Sequence, residues 1–78
     1  MPHVTVRMYA GRSEEDKARL AEAIGQALVQ SLGSSERSIS VTIEDVSPDD
    51  WMAEVYEPEI LAKADQVYKK PGYGPAAG

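Results

Sequence analysis

With 78 residues the chain is sized for one domain, near the lower limit at which a hydrophobic core forms unaided. Eight lysines and arginines against thirteen acids leave a net charge of −5, which disfavours non-specific binding to nucleic-acid phosphates. The chain has no cysteine and one histidine, which excludes a disulfide framework and a cysteine zinc site and argues against any metal centre. No run approaches the ~20 apolar residues of a membrane span, and the first residues carry no apolar stretch of signal type, so a soluble, cytoplasmic protein is expected.

The chain opens Met1-Pro2. If Met1 is cleaved, the Pro2 nitrogen changes from an amide with no proton to a free secondary amine, basic and nucleophilic. An α-amino group ordinarily titrates at about 7.7–8.0. Apolar surroundings or a nearby positive charge lower that value. The result is a general base suited to moving protons on and off carbon at neutral pH.

In His3–Tyr9, Val4, Val6 and Met8 share one face and His3, Thr5, Arg7 and Tyr9 the other, a strand pattern. Gly11 punctuates it. Ser13-Glu14-Glu15-Asp16 is a capping-box-like helix start with acids in the first turn. Leu20, Ile24, Leu28 and Leu32 form an apolar stripe at helical spacing, and Gly33 suits the residue beyond the C-cap. Ile39, Val41 and Ile43 alternate with Ser40, Thr42 and Glu44, giving a second strand that ends at Val46. Ser47-Pro48-Asp49-Asp50 opens a short helical turn carrying Trp51. Pro58 is expected to open a second long helix, over 58–69, with Ile60, Leu61, Ala64, Val67 and Tyr68 as its stripe. Pro71-Gly72 ends it, and residues 74–78 are expected to be loose.

Strand, long helix, strand implies a parallel, right-handed βαβ crossover within a single domain over 1–78. Two strands leave both sheet edges open and bury too little area to offset chain entropy. The unit should therefore oligomerise, at least as a two-fold dimer whose sheets join into four strands.

Pro2 heading a strand, Gly11-Arg12-Ser13 before a long helix, and a second strand over Ile39–Val46 together resemble the tautomerase superfamily of the 4-oxalocrotonate tautomerase type. Gly-Arg-Ser-Glu-Glu-Asp-Lys at 11–17 is similar to that family's loop and helix start. The resemblance covers residues 2 to about 51. Lys-Lys-Pro-Gly-Tyr at 69–73 is similar to the dimeric PptA-like subgroup. The resemblance implies an α/β fold: one βαβ unit with a C-terminal helix, its sheet completed by oligomerisation. It implies a cofactor-independent enol–keto tautomerase acting on small 2-hydroxyenoate or 2-oxo acids.

In that reading Pro2 is the general base and then the general acid, Arg12 binds a substrate carboxylate, and Trp51 walls the pocket. Ser40 stands where the founding enzymes carry a second arginine, offering a hydrogen bond without a charge. The partners implied are a small carboxylate substrate and a second copy of the chain in a homodimer, with a hexamer as the other assembly. Other readings are an amino-terminal-proline dehalogenase or decarboxylase, and a non-catalytic dimeric binding module in which Pro2 is incidental. Each site residue also has a plainer role: Arg12 as a solvated surface charge, Trp51 as a core or interface residue, Ser40 as a sheet-surface serine. The acids Glu44, Asp45, Asp49 and Asp50 read as a strand end and a helix start, not as a cation site.

Overall fold

A computed structural model describes all residues, Met1–Gly78. The chain divides into two compact units, Met1–Val46 and Ser47–Gly78.

In the first unit β1 (His3–Tyr9) and β2 (Ser40–Val46) pair in parallel, with α1 (Glu14–Leu32) as the crossover between them. The register runs from His3 opposite Ser40 to Tyr9 opposite Val46. The ladder extends one step at each end: the Ser40 N–H donates to the Pro2 carbonyl at 3.2 Å, and the Ala10 N–H donates to the Val46 carbonyl at 3.0 Å. This register sets Val4 beside Val41 and Val6 beside Ile43 on one face, and His3 beside Ser40, Thr5 beside Thr42 and Arg7 beside Glu44 on the other.

Both ends of α1 follow from the sequence. Ser13 is extended, and its Oγ accepts from the Asp16 N–H at 3.1 Å. Three acids in the first turn complement the helix dipole. Gly33, at φ +70°, closes the helix by donating to the Val29 carbonyl. Lys17 ties α1 to β2 through an ion pair with Asp45 at 2.8 Å. No residue of α1 is fully buried, and Val4, Val6, Val41 and Ile43 are only half-buried. Val46 is the one buried residue of the unit. The apolar layer has formed, and α1 covers it only in part.

The second unit begins with Ser47 capping a 3₁₀ turn, Pro48–Asp50, its Oγ accepting from the Asp49 N–H. A helix of π type follows over Met52–Leu61. The expected C-terminal helix over 58–69 is corrected here. Pro58 lies inside a helix that starts six residues earlier, and a separate 3₁₀ turn covers Ala64–Gln66. Within an α-helix Pro58 would lack an N–H and press its ring on the carbonyl four residues back. The wider turn carries it, and the bond from the Ala62 N–H to the Glu57 carbonyl, five residues back, shows that spacing at 2.9 Å. Ile60, Leu61, Ala64 and Val67 line one pocket with Pro71 and Pro75–Ala77, but Ala64 stays exposed and Val67 is only half-buried, and Tyr68 is 100% exposed. A short helix without burial is not stable by propensity alone.

Two hydrogen bonds involve residues 74–78. The Ala77 N–H closes a turn on the Gly74 carbonyl at 3.1 Å, and the Ala76 N–H donates to the Tyr56 hydroxyl at 2.9 Å.

Candidate active site

Pro2 stands at the head of β1, half-buried, with Met1 wholly in solvent. Its carbonyl holds the first rung of the ladder through Ser40. Its nitrogen, as a proline amide, has no proton to donate to that ladder. Losing Met1 therefore breaks no strand hydrogen bond and leaves the amine at the end of a fixed strand.

Ser40 is Pro2's neighbour across the strands, and its hydroxyl lies 2.6 Å from His3 Nδ1. His3 Nε2 is 3.3 Å from the Thr5 hydroxyl, which accepts from Thr42 at 3.1 Å. This gives a polar chain, Thr42–Thr5–His3–Ser40, on the sheet face away from the apolar pairs. Which ring nitrogen of His3 carries the proton sets the direction of both its contacts, so the Ser40 hydroxyl donates to His3 in one tautomer and accepts from it in the other. Farther along the same face Arg7 pairs with Glu44 at 2.9 Å.

Arg12 lies past the other end of β1. It follows Gly11, whose φ of +125° is open only to glycine. The guanidinium is 69% exposed, with a loose contact to Asp16 at 3.9 Å. Asp16 is held more closely by Arg19, at 3.0 Å. These three residues, with Met8, Leu20 and Ala23, line a groove of about 440 Å³ on the β1 flank of α1. The groove has an apolar floor and two guanidiniums at its rim, both in contact with the Asp16 carboxylate.

Ser40 and Pro2 are thus brought together, and Arg12 is not. Seven extended residues at about 3.3 Å each put roughly 20 Å between the two ends of β1. That exceeds the reach of an arginine side chain, so Pro2 and Arg12 of one chain do not meet on one small molecule.

Trp51 belongs to the second unit, directly before the π-helix, with its indole N–H donating to the Tyr73 hydroxyl at 2.8 Å. Sequence reasoning gave Trp51 no such partner. It also missed the contact between His3 and Ser40, which the strand alternation contains once register is known. No cluster of three or more histidine, cysteine or acidic side chains capable of holding a metal ion is present. Nor is any helix long and apolar enough to cross a membrane.

The family described as "Tautomerase enzyme" matches residues 2–58, so the match begins at Pro2. A "Probable tautomerase" of Xylella fastidiosa is 39% identical over 77 residues, covering 99% of this chain and 94% of that protein. Tautomerase PptA of Pectobacterium carotovorum is 42% identical over 74 residues, covering 94% and 97% respectively. Among solved structures, TomN, a 4-oxalocrotonate tautomerase homologue of the tomaymycin biosynthetic pathway, superposes with a TM-score of 0.62 at 32% identity. It covers 64% of this chain and 77% of its own. YwhB, another homologue of that enzyme, gives 0.60 at 42% identity, covering 62% and 79%. A parallel βαβ unit headed by proline, matched over most of its length by these relatives, makes the chain a member of the tautomerase family, in its PptA-like group, and an isomerase.

Proposed function

We propose that this tautomerase interconverts the enol and keto forms of small 2-hydroxyenoate and 2-oxo acids, without a cofactor, with Pro2 as the proton carrier. After Met1 is removed, the neutral Pro2 amine takes the proton from the enol hydroxyl and returns it to carbon. Base and acid are the same nitrogen, so the proton is conserved over the cycle. Negative charge gathers on the substrate oxygen as its proton leaves, and a donor there lowers the barrier. Ser40, whose hydroxyl touches His3, is the donor we assign. Arg12 holds the carboxylate through its planar fork. Trp51 supplies the apolar wall that excludes water and disfavours the protonated amine.

The separation along β1 supports a shared site, in which Pro2 from one chain works with Arg12 from a second copy. The same second copy covers half-buried apolar residues and pairs an open sheet edge. A homodimer is the smallest assembly that does both.

The observation that carries this reading is Pro2 itself, bound into the ladder only through its carbonyl and standing where the family match begins. The test compares protein with and without Met1, checked by mass, on a panel of enolised 2-oxo acids. Turnover is expected only in the form that begins at Pro2. Equal turnover with Met1 retained would remove the amine from the mechanism.

A further inference from the structure

Tyr56 is the most enclosed side chain in the molecule, at 0% exposure, and its hydroxyl is fully used. It donates to the Tyr73 carbonyl at 2.6 Å and accepts from the Ala76 N–H at 2.9 Å. The Tyr56 and Tyr73 rings pack 5.1 Å apart, tilted by 55°. Gly74 lies between these two anchor points at φ +71°, and a Cβ on it would sit 2.5 Å from the Tyr56 hydroxyl oxygen. Only glycine satisfies both the backbone conformation and the space. One buried hydroxyl thus fixes a four-residue strap, Tyr73–Ala76, against the π-helix.

The indole N–H of Trp51 donates to the Tyr73 hydroxyl of the strap, at 2.8 Å. Trp51 and Tyr73 both remain partly in solvent. Water would satisfy that indole N–H equally well, so the bond contributes little to burial. What it bears on is the orientation of a large, flat side chain.

We propose that the strap Tyr73–Ala76 is a positioning element for Trp51: the Tyr73 hydroxyl sets the indole's orientation, Tyr56 and Gly74 hold Tyr73, and Tyr73 thereby governs how tightly substrate is bound. The effect on substrate rests on the assignment of Trp51 as the pocket wall. Tyr73 touches no reacting atom. Its loss acts on binding and leaves the proton transfer at Pro2 intact.

The test is Tyr73→Phe, which removes one oxygen and keeps the ring on Tyr56. Trp51 is the only tryptophan, so intrinsic fluorescence reports this side chain alone. We expect lower emission anisotropy and about twofold greater acrylamide quenching, with KM for a 2-hydroxyenoate raised about three- to tenfold and kcat within twofold of wild type, the scale of one hydrogen bond. Tyr68→Phe, a change at the fully exposed tyrosine, leaves all four values at wild type. The proposal is overturned if Tyr73→Phe leaves the emission unchanged, or if the emission changes while KM does not. A wild-type protein that turns over no acid defeats the assigned activity instead, and the emission of the two variants then decides alone whether the strap holds the indole.

Discussion

Residues 1–46 form two strands and a nineteen-residue helix, yet Val46 is their one buried side chain. Residues 47–78 contain only short turns and a π-helix broken by no α-helical segment, yet they bury Val55 and Tyr56. Regularity and burial are divided between the units. The regular one satisfies its backbone by ladder and helix, and α1 covers its apolar face only in part. The irregular one closes a small core of its own, with a tyrosine hydroxyl doing for the backbone what a ladder does elsewhere. A ladder needs only alternation in sequence, whereas a single hydroxyl needs one particular residue at one particular place.

The first unit's open face makes the largest effect we expect. Pro2→Ala, with Met1 removed, lowers turnover by roughly a hundredfold or more, the scale of a general acid–base group. Arg12→Ala lowers kcat/KM about ten- to a hundredfold, the scale of a charge-assisted bond. Each variant alone is poorly active. Mixed, unfolded and refolded together, they recover about a quarter of wild-type turnover. Half of the dimers are then hybrids, and each hybrid keeps one site with an intact proline and an intact arginine. No recovery would mean that both residues act from one chain, which the length of β1 opposes.

The regular unit was legible in the sequence because its rules are periodic. Ser13, the stripe from Leu20 to Leu32, and Gly33 bound α1 where expected, and the alternation at 3–9 and 39–46 marked both strands, the second beginning one residue later, at Ser40. The separation of Pro2 from Arg12 was legible too, since a seven-residue strand has a fixed length. The second unit was not. The spacing of Ile60, Leu61, Ala64 and Val67 is helical, but spacing says nothing about whether a surface exists to receive it. Pro58 reads as a helix start by its usual preference, and only the π-type turn reveals it as an interior residue. The strap depends on Tyr56 meeting Gly74 and Tyr73 about twenty positions later, a contact no local pattern announces.

That dependence gives a smaller, sharper test of the irregular unit. Tyr56→Phe keeps the ring but strands two backbone partners, the Tyr73 carbonyl and the Ala76 N–H. A buried group left unpaired costs about 1–3 kcal/mol. Thermal unfolding should register that loss, and amide exchange at Ala76 should accelerate with it. An unchanged melting temperature would show that the unit closes by packing alone.

The smallest effect lies in the regular unit, at the one charged tie between α1 and β2. The hydrogen bond to Asp45 raises the Lys17 ammonium above its ordinary pKa of 10.5, aided by the charges of Asp45 and Glu14 and opposed by partial desolvation. A raised lysine stabilises the fold fully while the unfolded lysine is also protonated, below about pH 10.5. As pH rises further, the unfolded chain gives up its proton first, and the advantage is lost as pH passes through the folded value. Lys17→Met keeps the aliphatic stem that covers the helix flank and removes only the charge. The melting temperatures of wild type and Lys17→Met should therefore differ by a constant, small amount from pH 7 to 10 and converge above it. The pair is partly solvated, and ion pairs of that kind contribute little, so a gap wider than that at Tyr56→Phe would reverse the comparison. It would mean that the regular unit is held by its charges and not by its ladder.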